Sequence, residues 1–492
     1  MKRILKASRI MGSSTAISIF TGIIKTKLLA IWLGPQGIGL IAMLQTLQNT
    51  ASTVTGMGLA NSGVRQIAAS QGENSDDLRE QSQAVLWWIS LLLGVVGFGC
   101  MALFSKTISR ISFGNGEFAF AVAVIGVGVW ATNVAGAHIA ILNGTHRLKE
   151  IAKSNVLSGV ISAVIAIIAV WSWDTSGIIA VVIGPPLILM AVSGWYLRNT
   201  KHLIFRFSLL DSTSVVNSMI SLGFVFMLTA LMGAVMQYLT RAILIYSFDI
   251  SAAGFFQSAW TITMLYLGFI LKAMETDYYP RLAEVSENKQ AVSEMANQQV
   301  EASFLLAGPV ILGMITLAPN VTALLYSKEF FETAEILRWQ LLGCFFKLAT
   351  HALGYILIVS RKNRWFFITE SYWNIVYLLS LWFGIPYWGM GSAGISFLIA
   401  YLTSFLLISW IVGRKAEFTW HRANLCLLLI FVCSGSVIMS LHSFMNHKYV
   451  VFFGLVFTII ASCYSVLRLS EVIYIGNLGK LSRLIRFLSK KD

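Results

Sequence analysis

Charged residues are scarce in this chain. Lys, Arg, Asp and Glu together make up 12% of its 492 residues, whereas hydrophobic residues make up 57%. A soluble globular protein usually carries about 25% charged residues. This deficit excludes an ordinary soluble domain and indicates that much of the chain lies in an apolar medium.

Cysteine and catalytic signatures are scarce as well. The five cysteines all lie in apolar runs, and none has C-x-x-C spacing. We therefore interpret them as small apolar packing residues and not as metal ligands or disulfide partners. The sequence also lacks H-E-x-x-H, G-x-S-x-G and P-loop motifs, and no loop contains an acidic metal cluster. We predict neither an enzyme nor a cofactor.

Apolar runs recur from one end of the chain to the other. Each is about twenty residues long, which is the length that a helix needs to cross a bilayer. An outer-membrane barrel would instead show short alternating segments. We therefore predict an all-α polytopic membrane protein with about fourteen transmembrane helices. The predicted spans are 11–33, 37–60, 83–104, 118–142, 154–173, 177–197, 214–246, 251–275, 298–318, 334–359, 365–385, 390–412, 424–442 and 449–467.

The distribution of basic residues predicts the orientation. If the N-terminus is cytoplasmic, most of the 36 Lys and Arg residues fall in cytoplasmic segments. The exceptions in outer loops are Lys106, Arg110, Lys328 and Lys448. This bias places both termini in the cytoplasm. The net charge of +14 is then explained by topology and by contact with anionic lipids, so we predict membrane lipids and no nucleic acid as partners.

The chain repeats itself. Residues 25–68 match residues 239–283, and the ILNGTHR turn ending at Arg147 matches ILIVSRKNR ending at Arg364. The matched pairs in the first segment are Lys27 with Arg241, Gly39 with Gly254, and Arg65 with Arg281. A duplication of this size is typical of a transporter built from two halves around a central site. We predict two pseudo-symmetric six-helix lobes, residues 1–200 and 201–415, then a C-terminal helix pair with a basic cytoplasmic tail in residues 416–492.

Four basic residues fall inside predicted spans at depths that favour a function. They are Lys25, Lys27, Arg241 and Lys272. A charge within the bilayer costs several kcal/mol unless it is paired or hydrated, so it marks a candidate site. We predict that these residues line a cationic cavity. The alternative is that each one snorkels to the interface or pairs with a carboxylate.

One acidic residue, Glu370, lies five residues inside a predicted span. It either pairs with Arg364 or Arg361 at the entrance of that helix or serves as a proton-titrating group in the interior. The sequence leaves both interpretations open.

The second predicted span is unusually polar. It contains Gln45, Asn49 and several Ser and Thr residues. Such a helix is too polar to face lipid, so we predict that it lines a hydrated space. Amides and hydroxyls of this kind suit the hydroxyl groups of sugars. Hydrogen bonding between helices is the alternative for some of them.

Four segments carry a resemblance to a known family: KLLAIWLGPQGIGL at 27–40, ILNGTHR at 141–147, YYPRLAE at 278–284, and the long run from Arg338 to Glu370. Over about the first 415 residues the chain resembles the Wzx-type flippases, which belong to the polysaccharide branch of the multidrug/oligosaccharidyl-lipid/polysaccharide exporter superfamily. The resemblance is strongest to the O-antigen and enterobacterial common antigen translocases. The C-terminal helix pair departs from the family's usual twelve helices.

The resemblance implies a function. The expected substrate is an undecaprenyl-diphosphate-linked oligosaccharide, moved by alternating access from the inner to the outer leaflet of a bacterial inner membrane. The cationic positions that match the family are Lys27, Arg65, Arg241 and Arg281. The polysaccharide polymerase and the chain-length machinery are further expected partners.

The sequence fits two other functions less well. A multidrug or small-molecule exporter on the same scaffold should place acidic residues in its cavity, and the first, second and seventh predicted spans contain none. An enzyme acting on the same lipid would need a long outer loop, and the outer loops here are short.

Overall fold

The structure is a computed structural model that describes residues 2–70, 76–198, 213–445 and 447–472. Within these residues the regular elements are all helices, which confirms the predicted all-α class. In chain order they are α1 (Lys2–Gly56), α2 (Leu59–Ala69), α3 (Asp76–Leu103), α4 (Ser105–Phe113), α5 (Ala119–Gly144), α6 (Leu148–Trp173), α7 (Ile178–Arg198), α8 (Thr213–Ser247), α9 (Ile250–Ala273), α10 (Tyr279–Glu284), α11 (Lys289–Thr316), α12 (Ala318–Leu325), α13 (Phe331–Val359), α14 (Asn363–Trp388), α15 (Ser392–Ala416), α16 (Arg422–Phe444) and α17 (His447–Val472).

The predicted number of membrane spans is confirmed. Eleven helical stretches of the described chain are long and apolar enough to cross a membrane. Three of them contain 40, 51 and 54 residues, which is too long for one crossing. Each is interrupted by a residue with positive φ, namely Gly34 at 61°, Asp174 at 50° and Gly389 at 50°. Dividing the three stretches there gives fourteen segments in the described chain.

The break in α1 has a local cause. Pro35 lacks the N–H group that would continue the helical ladder, and Gly34 adopts a φ that is unfavourable for other residues. The first segment of α1 therefore ends before Gly34, and the polar second segment begins at Pro35.

The described chain packs as two compact units. Unit 1 contains the described residues up to Gln257 together with Leu325–Phe330. Unit 2 contains Ser258–Leu324 and the described residues from Phe331 onward. These packing units differ from the predicted lobes because α8, the first helix of the second repeat, packs against α1 and α2. The predicted lobe boundaries stay predictions; the one at residue 200 and the basic tail after residue 472 lie outside the described residues.

Two turns, one in each unit, have the same backbone. Thr145–Arg147 close the turn between α5 and α6 with N–H···O distances of 3.0, 2.9 and 2.8 Å. Ser360–Lys362 close the turn between α13 and α14 with distances of 3.0, 3.0 and 2.8 Å. The middle residue has a φ of 57° at His146 and 56° at Arg361. The duplication seen in the sequence is therefore present in the backbone.

This match corrects one predicted pairing. The structural equivalent of Arg147 is Lys362, 215 positions later, and not Arg364. Both Arg147 and Lys362 directly precede the next helix, whereas Arg364 already lies in the first turn of α14. The helices that follow, α6 and α14, each contain 26 residues.

Two equivalent glycines meet within unit 1. A Cβ atom on Gly39 would collide with the carbonyl oxygen of Ile250. Reciprocally, a Cβ atom on Gly254 would collide with the carbonyl oxygen of Pro35. The second segment of α1 and the start of α9 thus cross with their backbones in contact, as small residues permit in membrane helices.

In unit 2, α13 is the most deeply buried helix, and it packs against α11, α14, α15 and α16. The C-terminal helix α17 packs on α11. Arg468 of α17 donates from Nε to Oε1 of Glu301 at 3.0 Å, so an ion pair holds α17 to α11. The extra helix pair is therefore attached to the second unit by charge as well as by apolar packing.

Candidate functional site

The polar side chains of the second segment of α1 are organised by their own helix. Thr46, Thr50, Ser52, Thr53 and Thr55 each donate a hydroxyl hydrogen to the carbonyl four residues earlier, at 2.7 to 2.8 Å. This back-bonding satisfies the donors. Ser52 and Thr53 share one face of the helix with Asn49, and the oxygen atoms of this face can accept from donors such as water or sugar hydroxyls.

A cavity of about 330 Å³ in unit 1 lies against this face. Its polar lining includes Asn49, Ser52 and Thr53 from α1 and Thr132 and Asn133 from α5. Asn133 donates from Nδ2 to the hydroxyl oxygen of Thr55 at 2.9 Å, which fixes the amide. Some polar side chains of the second segment of α1 therefore form hydrogen bonds to a neighbouring helix. Others line the cavity.

The structure separates the two amides that the sequence singles out. Asn49 is exposed and lines the cavity, whereas Gln45 is half-buried one turn earlier and is not among the lining residues.

Arg241 on α8 is buried, with 4% of its surface exposed. Its Nη1 donates to the backbone carbonyl of Gln237 at 2.8 Å and to the side-chain oxygen of the same residue at 2.5 Å. Its Nη2 donates to the side-chain oxygen of Gln257, and its guanidinium lies 5.4 Å from the ring centre of Phe256. Neutral amides therefore hold a full positive charge within an apolar helix.

Lys25 and Lys27 are half-buried in the first segment of α1. Both belong to unit 1, as does Arg241, although the sequence assigns Arg241 to the second repeat. Unit 1 therefore contains three of the four basic residues that the sequence singles out as candidates for a cationic cavity.

The other predicted cations are exposed. Lys272 pairs with Glu275 at 2.7 Å, which is the carboxylate pairing that the sequence left open for it. Arg281 pairs with Asp277 at 2.8 Å. Arg65 is exposed on α2. Exposed pairs of this kind contribute little to stability.

Unit 2 contains a lysine inside an aromatic cage. The Nζ atom of Lys347 on α13 lies 5.6 Å from the ring centres of both Trp260 and Phe397, and 5.1 Å from that of Tyr401. It also lies 3.8 Å from the sulfur atom of Met264. These distances are those of cation–π contacts, which can hold a desolvated ammonium group without a carboxylate.

Glu370 on α14 is connected to this cage. Trp373 donates from Nε1 to its carboxylate at 3.0 Å, and the Trp373 ring stacks on Tyr401 with a centroid distance of 5.1 Å. Glu370 also interacts electrostatically with Lys347. We call Lys347, Glu370, Trp373, Tyr401, Trp260 and Phe397 the unit 2 charge cluster.

Of the two roles that the sequence leaves open for Glu370, an ion pair with Arg361 or Arg364 is not seen among the described residues. Arg364 lies six residues earlier on the same helix, which is about one and two-thirds turns and thus another face. Arg361 lies in the preceding turn, before α14 begins. Trp373, one turn later, takes the place of the expected partner.

Sequence reasoning missed Lys347 as a site residue. Its position inside an apolar run was a usable signal. The aromatic residues gave none, because Trp260 and Tyr401 come from helices that are distant in sequence and aromatic residues are common throughout the chain. Among the described residues, no three His, Cys, Asp or Glu side chains gather as a metal site would require.

The chain is similar to known membrane transporters. The lipid III flippase of Escherichia coli (strain K12) is 24% identical over 416 residues, which cover 82% of this chain and 96% of the relative. The solved structure of the lipid II flippase MurJ in an inward closed conformation matches with a TM-score of 0.73 at 16% identity, covering 94% of this chain and 98% of that one. An inward-facing multidrug resistance MATE family transporter of the MOP superfamily matches with a TM-score of 0.66 at 15% identity, covering 81% and 96%.

The two structural matches show a shared fold, because their sequence identities are low. The family assignment rests on sequence. Residues 28–335 match the family described as "Polysaccharide biosynthesis protein". That match spans more than half of the 492 residues, and the protein therefore belongs to the polysaccharide biosynthesis protein family.

Proposed function

We propose that the protein is a flippase for a lipid-linked oligosaccharide. Its substrate is an undecaprenyl-diphosphate-linked repeat unit of the O-antigen type, and it moves this unit from the cytoplasmic to the periplasmic leaflet of a bacterial inner membrane by alternating access. Both termini lie in the cytoplasm. The exported unit then becomes available to the polysaccharide polymerase and chain-length machinery.

The observation that carries this proposal is the burial of Arg241. Its guanidinium is 4% exposed within a membrane helix and is hydrogen-bonded to Gln237 and Gln257. Its positive charge lies at membrane depth, where we expect it to attract the diphosphate of a bound substrate. The attraction between unlike charges is much stronger in a low-dielectric interior than in water. Lys27 and Lys25 in the same unit add to the positive potential.

The polar face of α1 binds the sugars of the substrate in this proposal. Its acceptor oxygens border a cavity of about 330 Å³ in which Asn49 is exposed. A sugar offers many hydroxyl donors, so a row of acceptors suits it. The polyprenyl tail needs no such site because it remains in the lipid.

Arg65, Lys272 and Arg281 have a peripheral role in this proposal. They are exposed, and two of them already have a carboxylate partner. They attract the diphosphate from exposed positions and do not hold it within the membrane. In unit 2, Lys347 supplies a cationic group at membrane depth, and Glu370 is the candidate for proton coupling.

The relatives support a flippase. The E. coli protein that matches over 96% of its length is named a lipid III flippase. An exporter of small molecules is the other candidate, and the MATE match shows that the fold would permit it. The basic residues of unit 1 favour an anionic substrate instead.

The test uses the double variant Lys27→Ala/Arg241→Ala in the native host. We expect it to abolish export of the repeat unit and to cause the undecaprenyl-linked sugar to accumulate in the cytoplasmic leaflet, while the protein is still inserted in the membrane. The matched control is Lys106→Ala/Arg110→Ala, which removes two exposed positive charges outside the spans. Surface polysaccharide of normal length and amount in the first variant would refute the proposal.

A further inference from the structure

A second cavity, of about 440 Å³, lies in unit 2 at the ends of α11, α13 and α15. Four basic residues line it: Lys289, Arg361, Lys362 and Lys415. We call this cavity the unit 2 basic pocket. It lies on the side that the basic residues predict to be cytoplasmic. Val359 at its rim is twelve residues beyond Lys347, or about 18 Å along α13, so the pocket is separate from the unit 2 charge cluster.

The positive charge of this pocket exceeds its negative charge. Glu287 is the acidic residue among those that line it, and Glu417 nearby pairs with Lys289 at 2.5 Å. Within the part of the chain that the structure describes, Arg361, Lys362 and Lys415 have no carboxylate within ion-pair distance. At least two positive charges are therefore uncompensated.

These cations act on one another. Partial desolvation, followed by the neighbouring charges of Lys289 and Lys415, lowers the pKa of Lys362, whereas the carboxylate of Glu417 raises it. Like charges held close together repel, and an anion placed between them would relieve that repulsion.

In the equivalent turn of unit 1, the positive charge of the arginine is compensated by a carboxylate. There, Arg147 pairs with Glu150 at 3.2 Å. The position equivalent to Glu150 in the second repeat is Trp365, 215 positions later. The Nζ atom of Lys415 lies 5.3 Å from the centre of this ring. At this position the second copy therefore has the ring of Trp365 with Lys415 over it, whereas the first copy has the carboxylate of Glu150.

We propose that the unit 2 basic pocket binds a phosphate group, which comes either from the headgroup of an anionic phospholipid or from a soluble phosphate compound. The guanidinium of Arg361 suits bidentate contact with phosphate oxygens, and Lys362 and Lys415 add point charges. The apolar side chains of Val292 and Val359 form another part of the lining, against which a glycerol or acyl segment would pack. This binding is independent of the translocated substrate, so it stands or falls apart from the proposed flippase function.

The alternative to a defined site is diffuse attraction between a basic membrane protein and any anion. Diffuse attraction depends on the number of positive charges and not on their places. A comparison of two variants that remove the same charge from different places separates these cases.

The experiment compares Arg361→Gln/Lys362→Gln with the matched control Lys149→Gln/Lys153→Gln. The control residues are exposed at the start of α6, which is the equivalent of α14. In one arm, the purified full chain in detergent is dialysed against radiolabelled inorganic phosphate or diphosphate. In the other arm, the chain is reconstituted into phosphatidylcholine vesicles containing some phosphatidylglycerol, extracted again, and assayed by mass spectrometry for the phosphatidylglycerol that it retains.

We expect saturable binding by the unsubstituted chain and by the control, and binding about tenfold weaker or worse in Arg361→Gln/Lys362→Gln, because each lost charged contact weakens binding severalfold. Retention of phosphatidylglycerol alone identifies a lipid as the source, and binding of phosphate or diphosphate alone identifies a soluble compound. Equal binding by the two double variants in both arms, or no saturable binding at all, overturns the proposal. Lys415→Gln leaves the turn itself unchanged and should weaken the same binding, which guards against misfolding of the double variant.

Discussion

At one turn, the two copies of the repeat have the same backbone and carry different charges. The turn at His146 and the turn at Arg361 have nearly the same φ and the same hydrogen bonds. Yet in the turn at His146 the charge of Arg147 is neutralised by Glu150. The turn at Arg361 instead faces a pocket with excess positive charge. The backbone of such a turn is set by local hydrogen bonding, which the side chains need not share.

The same contrast appears within the membrane. At the offset of 215 that the two matching turns define, Lys347 is equivalent to Thr132, and Glu370 is equivalent to Asn155. The first copy has a hydroxyl and an amide where the second has two ionisable groups. The two copies therefore differ in charge at positions that the turn alignment makes equivalent.

The largest effect should come from the glycine crossing, where the two copies are alike. We expect Gly39→Ala and Gly254→Ala to destabilise the protein by a similar amount, about 3 kcal/mol each, because a Cβ at either position would overlap a backbone carbonyl. Thermal unfolding of the purified protein measures this. The control is Gly268→Ala, also on α9, where a Cβ would contact nothing within 4 Å and which should be neutral or slightly stabilising. Unequal losses of stability would show that Gly39 and Gly254 are not equivalent positions of the repeat.

The next effect concerns Lys347 and its counterpart Thr132. Lys347→Met keeps the length of the side chain and removes the charge, and we expect transport to fall about a hundredfold if the ammonium group contacts the substrate anion. The amount of folded protein should not fall, because replacing a buried charge with an apolar group is often neutral or stabilising.

Thr132→Val is the matched substitution in the first copy. Thr132 donates to the carbonyl of Gly128 at 2.7 Å, and the loss of this bond should reduce transport by no more than about fivefold, since such a bond contributes about 1 kcal/mol. Equal losses in the two variants would show that the charge of Lys347 has no special role. Transport of a fluorescent lipid-linked oligosaccharide in vesicles provides the measurement for both.

Glu370→Gln should have a smaller effect than Lys347→Met. It removes the carboxyl group of the unit 2 charge cluster while keeping an acceptor for Trp373. We expect transport to fall about tenfold, equivalent to about 1.4 kcal/mol, and its dependence on pH to become flatter. The same vesicle assay across a range of pH tests this. The counterpart variant, Asn155→Ala, should leave the pH profile unchanged. An unaltered profile in Glu370→Gln would assign Glu370 a structural role only.

Much of the fold could be predicted because its signals are local. Apolar length predicts the fourteen spans, and the break at Gly34 and Pro35 falls between the first two of them. The short helices α4 and α12 were not predicted, because nine and eight residues are too few for a spanning run. The packing of α8 into unit 1 was not predicted either, since the repeat assigns it to the second lobe.

The site was less predictable because its contacts join distant parts of the chain. Arg241 was a candidate from its place inside a span, but its bond to Gln257 on α9 depends on how two helices pack. The cage around Lys347 depends on rings contributed by α9 and α15. A sequence shows that a charge lies at membrane depth, and only the packing shows which groups hold it there.

The crossing of Gly39 with Gly254 also bears on the origin of the chain. Each glycine touches the residue four positions before the other, Ile250 in one case and Pro35 in the other, so the contact is reciprocal between equivalent positions. Reciprocity of this kind is the mark of an isologous interface on a two-fold axis. A single ancestral repeat would have made this contact with a second copy of itself, and gene fusion would have preserved the dimer axis as a backbone contact inside one polypeptide.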